Sequence, residues 1–392
     1  MLPHVNNMTD TVLYVATAEK LAQRIADHAP LPVLLVKEAV RGMPLVMFTI
    51  LGAVLAFTAS AQQFKPVPAL ALPRLPHGVV ELRVAYVVNP RMPQEPGPQQ
   101  IDALLAHART AAREHFGVEI MFTSPREMQV HDIFDKFSPQ MRASLNGAVY
   151  DFKTGTGDLE RMRRSFAGYL RGAADEFDDL YALAQPYLFG PLEVRTVEAL
   201  ADGLLRTHLE RLVDFSLFNA RFGGKLIDDT PYNELIYWSA APRLALPFDV
   251  IITNQLIASA EYGALSIHSA IRGGVTDGFT TVNPSARFGT TAILSVYPFI
   301  AGDDSSRQMR ANETYTDDEA MRFAAHVLVH ELGHMLFHFG HPHGRASCVM
   351  NPPLLLHYRA WVNQLSAADC KPASSAAMTP GFVKFLPLRA AD

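Results

Sequence analysis

Charge of either sign is scarce in this sequence. Only 19% of the 392 residues are charged, and the formal net charge is -5. Neither a dominant basic patch nor a long run of like charges occurs, so the charge pattern argues against nucleic-acid binding and points to no other particular partner. Hydrophobic residues make up 49% of the chain, which is enough for a large core, and the length predicts two or three units.

Charge is absent altogether from residues 43–61, MPLVMFTILGAVLAFTASA. Lys37 and Arg41 precede this segment, and small residues end it at Ala61. The layout predicts a signal peptide cleaved after Ala61, and therefore an exported protein, periplasmic or secreted. The segment also approaches the roughly 20 apolar residues that span a bilayer, so an uncleaved anchor facing outward is the alternative.

Cysteine is limited to Cys348 and Cys370, with a predicted helix between them. An even pair in an exported protein permits one disulfide, which we predict here. The disulfide would connect the end of the last predicted helix to the loop after residues 326–344, a histidine-rich segment. The alternative is a pair of buried thiols that are not bonded to each other.

The remaining pattern predicts a mixed architecture. A proline-rich stretch over 62–78 indicates a linker, and residues 79–88 and 118–123 read as strands on either side of a helix over 101–117 that stops at Gly117. This order predicts a βαβ unit with parallel strands. Residues 125–245 carry long amphipathic patterns and read as a helical insertion, after which strand signals return at 248–255, 263–271 and 290–297.

A long helix is predicted next. Thr316 and Glu319 are spaced as a capping box, and the apolar pattern then runs through AMRFAAHVLVHELGHMLFHF, which gives a helix of about 22 residues. His330 and His334 lie four apart on one face with Glu331 beside them, the HExxH arrangement. Zinc in catalytic sites takes three protein ligands and a water, on which Glu331 could act as general base. The alternative is that these histidines are polar members of a helix surface.

The third ligand is restricted because no glutamate follows Glu331. The downstream candidates are His338, His341, His343, His357 and Asp369. His338 would lie on the same straight helix, about 12 Å from His330, and could not close a tetrahedron unless the chain turned back. Gly340 can stop the helix, and His341 and His343 follow it at once.

The sequence here resembles that of the metzincin metallopeptidases. Three segments carry the resemblance: HELGH, the glycine turn with its histidines, and SCVMNP at 347–352. The metzincin motif is HExxHxxGxxH followed by a methionine-containing turn. The resemblance covers about 79–124 and 246–370. It implies an α+β, metzincin-like zincin fold with a mixed twisted sheet and an active-site helix, one Zn²⁺ per chain and Met350 as the residue of the Met-turn. It also implies a strand that binds the substrate main chain, for which 290–297 is the expected segment.

The chain departs from the family spacing, because the family glycine falls at Phe337 and the third histidine at Gly340. His341 is one residue late and needs only a wider turn. His343 restores the glycine-to-histidine spacing but needs an extra helical turn, which moves the loop about 5 Å. We therefore predict His341 as the third ligand, with His343 or a more distant group as alternatives.

Two other predictions concern groups near the motif. His326 and His338 extend the histidine stripe, and we expect them to pack or to orient ligands rather than to bind metal. Asn351 and Pro352 follow Met350 where some metzincins have a tyrosine, which leaves Tyr358 and His357 as weak candidates for a transition-state donor.

Together these patterns predict an exported zinc metalloendopeptidase that acts on peptide or protein substrates. The catalytic domain would comprise residues 79–124 and a zinc-binding part at 246–392, separated by the insertion at 125–245; residues 1–61 would form the tail and signal peptide or anchor. Hydrolysis of a non-protein substrate such as a cell-wall peptide stays open. The rival hypothesis is a non-catalytic zinc-binding or interaction protein that uses the helical insertion.

Overall fold

The computed structural model describes residues 78–151, 155–171, 177–221, 233–244, 246–259, 273–275, 287–288, 290–337 and 347–368. The chain divides into two units, Met1–Lys65 and Pro66–Asp392, and every described residue belongs to the second. The predicted signal or anchor segment lies outside the described residues. Among the helices that the structure describes, none is long and apolar enough to cross a bilayer.

Parallel strands form two sheets. The strands are β1 (Val79–Leu82), β2 (Val84–Val88), β3 (Glu119–Phe122), β4 (Arg126–Gln129), β5 (Val250–Thr253), β6 (Gly274–Val275) and β7 (Ala292–Ser295). β1 pairs with β3, and the other sheet has the order β4-β2-β5-β7-β6. Every pair is parallel except β6 with β7, which is antiparallel.

The predicted strand over 79–88 is broken at Arg83. The backbone nitrogen of Arg83 donates to the Asp249 carboxylate at 2.8 Å, and its guanidinium donates to both oxygens of that carboxylate at 3.0 and 2.8 Å. Asp249 is buried at 1% exposure, so it needs these bonds to offset the cost of removing its charge from water. The break assigns β1 and β2 to different sheets.

Helices are interspersed with the strands along the chain. They are α1 (Pro98–Phe116), α2 (Val130–Phe134), α3 (Pro139–Asn146), α4 (Leu159–Arg171), α5 (Phe177–Ala184), α6 (Val197–Arg221), α7 (Leu235–Ala240), α8 (Tyr297–Ile300), α9 (Asp304–Met309), α10 (Asp317–Phe337) and α11 (Tyr358–Gln364). Short 3-10 turns occupy Gln185–Tyr187 and Ala241–Leu244. The predicted stop of the first helix is confirmed, because Gly117 caps α1 at φ 66° in the left-handed region.

Both faces of the larger sheet are covered. On β2, Val84, Tyr86 and Val88 join a core that also contains residues of α1, α4, α6 and α10. The alternate residues Ala85 and Val87 join a second core, with residues of α2 and α7. A parallel sheet buried on both faces is typical of mixed α/β proteins. The architecture is therefore mixed α/β with parallel sheets, which is compatible with the predicted α+β class.

The range 125–245 is mainly helical, but it begins with a sheet strand. β4 lies inside this range and pairs with β2 at the edge of the larger sheet. Three of its four residues, REMQ, are polar and none is fully buried, so no apolar run indicates the strand in the sequence. α4 and α6 pack against each other. Their buried side chains belong to the core that also contains Val84, Tyr86 and Val88 of β2.

α10 is the central helix of this core. The predicted capping box is confirmed: the Thr316 backbone nitrogen donates to the Glu319 carboxylate at 3.0 Å, and the Glu319 nitrogen donates to the Thr316 hydroxyl at 3.3 Å. The helix spans 21 residues and packs along α1. From Val327 to Phe337 every residue is buried, so the HELGH segment lies within the protein interior.

Candidate metal centre

α10 brings the two histidines of HELGH together. His330, Glu331 and His334 are 6%, 6% and 8% exposed. The two imidazole rings are nearly perpendicular, with centroids 4.7 Å apart, and their Nε2 atoms approach to 3.1 Å. The one-turn spacing predicted from the sequence therefore brings the two Nε2 atoms next to each other.

The orientation of His330 is fixed by the turn that follows the histidine-rich segment. Its Nδ1 lies 2.8 Å from the backbone carbonyl oxygen of Val349. A carbonyl can only accept, so Nδ1 carries the hydrogen and the lone pair of the neutral ring is on Nε2. Burial lowers the pKa of His330 to about 4, so at neutral pH the ring is neutral, as a metal ligand must be.

The spacing of the two Nε2 atoms suits a shared zinc ion. Zinc–nitrogen bonds of about 2.0–2.1 Å in a tetrahedron separate two nitrogens by about 3.3 Å, close to the observed 3.1 Å.

Four candidates for the third ligand lie outside the described residues: His338, His341, His343 and Asp369. Across the ranges that the structure covers, no set of three histidine, cysteine or acidic side chains is arranged to hold a metal. His341 as third ligand therefore stays a prediction.

Met350 lies directly beside the HELGH helix. Met350 is fully buried, and a Cβ added to Gly333 would lie 2.2 Å from its Sδ and 3.0 Å from the Phe116 ring. Only glycine at 333 lets this methionine approach the helix so closely.

The turn that carries Met350 is anchored to α11 and to the segment after it. The Trp361 indole nitrogen donates to the Asn351 carbonyl at 2.7 Å, and the Ser366 backbone nitrogen donates to the Ser347 carbonyl at 2.8 Å. One bond therefore holds the turn to α11, and the other holds it to the segment after α11.

Cys348 belongs to this turn and is fully buried. The Met350 backbone nitrogen lies 3.3 Å from its Sγ. Cys370 lies outside the described residues, so the bridge between the two cysteines stays a prediction.

Glu331 faces the antiparallel strand β6. A Cβ built on Gly274 would lie 2.2 Å from Glu331 Oε1, so the carboxylate lies against the strand backbone.

The expectation that residues 290–297 provide the strand for substrate is wrong, because β7 (Ala292–Ser295) is flanked by β5 and β6. Within the part of the sheet that the structure describes, the end strand next to Glu331 is β6, which the sequence does not indicate because only a glycine pair and Val275 mark it.

His326 packs against a histidine that the sequence did not single out. Its Nδ1 donates to the Arg322 carbonyl at 2.8 Å, and its ring lies 6.0 Å from that of His115. His115 is 1% exposed, and within the described structure neither of its ring nitrogens has a hydrogen-bond partner. Burial, and then the neighbouring His326, lower the pKa of His115 to about 4. His326 thus has a packing role, as expected.

The two weak donor candidates lie at the start of α11. Tyr358 is 1% exposed and its ring packs against Phe299 with centroids 4.2 Å apart. Its hydroxyl would be 2.9 Å from a Cβ on Gly273, which places it beside the residue before β6. Burial raises the pKa of Tyr358 far above its usual value, so the hydroxyl stays protonated. His357 is the N-cap residue of α11 and makes no side-chain cap bond.

No protein-family model, curated protein or solved structure matches the chain. The resemblance to metzincins therefore rests on the residues themselves, which are the HELGH segment and the turn that carries Met350. In the structure, His330 and His334 lie side by side, and the Val349 carbonyl of the turn accepts a hydrogen bond from His330.

Proposed function

We propose that the protein is a zinc-dependent metalloendopeptidase of the metzincin type. The observation that carries this proposal is the convergence of His330 and His334, whose Nε2 atoms are 3.1 Å apart in the interior, with Glu331 buried beside them. A structural zinc site needs no carboxylate base next to its ligands, whereas hydrolysis does.

His330 and His334 would hold the zinc, and we propose His341 as the third protein ligand, with His343 as the alternative. When bound at such a site, zinc acts as a Lewis acid that polarises the scissile carbonyl and lowers the pKa of water towards about 7. The Val349 carbonyl keeps Nε2 of His330 directed at the site through its bond to Nδ1.

Glu331 is the proposed general base. It takes a proton from the water as the water oxygen bonds to the peptide carbonyl carbon. It then returns that proton to the amide nitrogen as the carbon–nitrogen bond breaks. Its burial against β6 removes competing water and holds the carboxylate on the side of the helix that faces the strand.

The substrate would be an extended peptide. Among the strands that the structure describes, β6 is at the end of its sheet, and strands at a sheet end can bind a peptide main chain by strand addition. Because Glu331 touches the backbone of this strand, a peptide on β6 would run close to the base.

The same proposal includes export of the protein, with a signal peptide or an anchor at 43–61. It also includes the Cys348–Cys370 bridge.

The test is peptide cleavage by the wild-type protein and by Glu331→Gln, with zinc content measured on both. Glutamine keeps the size of the side chain but cannot accept the proton, so we expect cleavage to fall by at least about 100-fold while zinc is retained. Equal cleavage by the two proteins, or no cleavage by zinc-loaded wild type across a diverse peptide library, would contradict the proposal and favour the non-catalytic alternative.

A further inference from the structure

Gly274 makes an unusually close contact with Glu331. A Cβ at position 274 would lie 2.2 Å from Oε1, 2.6 Å from Cγ and 2.7 Å from Cδ of Glu331. The overlap therefore involves most of the side chain and not only its flexible end. Nothing in the local sequence, a glycine pair before a valine, indicates this contact.

The surroundings leave Glu331 little room to move away. It is 6% exposed and its neighbours on α10, His330 and Leu332, are 6% and 0% exposed. Close-packed interiors do not absorb an added methyl group without displacing a side chain or the backbone. Any residue larger than glycine at 274 must therefore displace the Glu331 carboxylate or push β6 away from α10.

We propose that Gly274 is a positioning residue, whose lack of a side chain fixes the Glu331 carboxylate between α10 and the backbone of β6. This inference rests on the proposed function for its catalytic consequence. General-base catalysis needs the carboxylate within hydrogen-bond reach of the proton that it takes. Displacement of this group by about 1 Å can reduce turnover by about 100-fold.

The contact itself can be tested independently of any activity. If Gly274→Ala destabilises the protein because the added methyl group meets Glu331, then the same substitution is harmless once Glu331 is shortened to alanine. A general structural defect of β6 would instead lower stability equally in both backgrounds. Gly302→Ala is the matched control, since among the described residues a Cβ there comes within 4 Å of Gln94 Nε2 alone, at an ordinary 3.5 Å.

The experiment compares the full-length wild type, Gly274→Ala, Glu331→Ala, the double variant and Gly302→Ala by zinc content, unfolding midpoint and peptide kinetics. We expect Gly274→Ala to keep its zinc, lower kcat by about 100-fold, and change KM by less than about threefold. Its unfolding midpoint falls in the wild-type background and not in the Glu331→Ala background, while Gly302→Ala behaves as wild type.

Wild-type kcat in Gly274→Ala would overturn the inference, and so would an equal fall of the unfolding midpoint in both backgrounds. If Gly274→Ala does not fold, a folded double variant supports the contact and an unfolded one overturns it. Full peptide cleavage by Glu331→Ala would refute the proposed function, and with it the catalytic role of Gly274. The pair of unfolding midpoints would still decide whether Gly274 holds Glu331 in place.

Discussion

The backbone carbonyl of Val349 accepts a 2.8 Å hydrogen bond from Nδ1 of His330. This bond joins the turn after the histidine-rich segment to the first histidine of HELGH, 19 residues earlier in the chain. Because the carbonyl sets the tautomer, it also sets which ring nitrogen faces His334. The turn and the helix therefore form one structural unit around the proposed metal.

Replacing His330 with alanine should remove most of the zinc affinity. Loss of a group that only orients a ligand weakens metal binding by about 10- to 100-fold, and loss of a ligand itself should exceed about 100-fold. His326→Ala is the matched control, because His326 lies one turn earlier on the same helix and binds the Arg322 carbonyl. Titration of zinc into the metal-free proteins measures both; equal loss in the two variants would contradict the assignment.

The third ligand is identified by comparing His341→Ala with His343→Ala. We expect zinc binding to be weakened strongly in His341→Ala and to stay near wild type in His343→Ala, because the shorter turn keeps His341 nearer to the helix. The reverse result would assign His343. Normal zinc binding in both variants would require a more distant ligand.

Gly333→Ala should destabilise the protein although alanine is the better helix former. The added Cβ would lie 2.2 Å from the Met350 sulfur, and overpacking of this kind costs about 1–3 kcal/mol. Gly168 is also inside a helix, but no atom of the described residues lies within 4 Å of a Cβ there, so Gly168→Ala should stabilise by about 0.5–1 kcal/mol. Denaturant unfolding of the two variants measures both effects. Stabilisation by Gly333→Ala would show that Met350 does not pack as described.

The buried imidazole of His115 should lower the free energy of unfolding of the metal-free protein in weak acid relative to neutral pH. Its pKa is lowered from the ordinary 6.5 to about 4 by burial and by His326, so between these values the unfolded chain binds a proton that the folded protein does not. Stability is therefore unaffected by this group above pH 6.5 and falls as the pH drops towards 4.

The measurement is the free energy of unfolding at pH 7 and pH 5. His115→Leu should reduce the difference between the two values by about 1–2 kcal/mol. His330, whose pKa is also lowered by burial to about 4, contributes in the same direction and remains in both proteins. An unchanged difference in His115→Leu would show that the buried imidazole takes up its proton normally.

Local signals predicted the elements that position the site. The capping box at Thr316 and Glu319 and the glycine stop at Gly117 are short-range patterns, and both helices begin or end where these patterns indicate. The spacing of His330 and His334 also depends only on helix geometry. These features could be read from the sequence because each is determined within a few residues.

Features that depend on distant residues could not be read from the sequence. The break at Arg83 arises from its bonds to Asp249, which is 166 residues away. The inner place of β7 depends on the strand order of the whole sheet. Likewise the contact of Gly274 with Glu331 appears only when β6 is packed on α10, because neighbouring residues do not specify tertiary contacts.

In the proposed function, a zinc ion held by His330 and His334 supports peptide hydrolysis. The most direct measurement is peptide cleavage by chelator-treated protein as zinc is added back, with folding monitored throughout. We expect the folded, metal-free protein to be inactive, and cleavage to rise until a single zinc is bound per chain and then level off. A folded protein that cleaves peptides equally well without zinc, or that binds no zinc when it is supplied, would contradict the proposal.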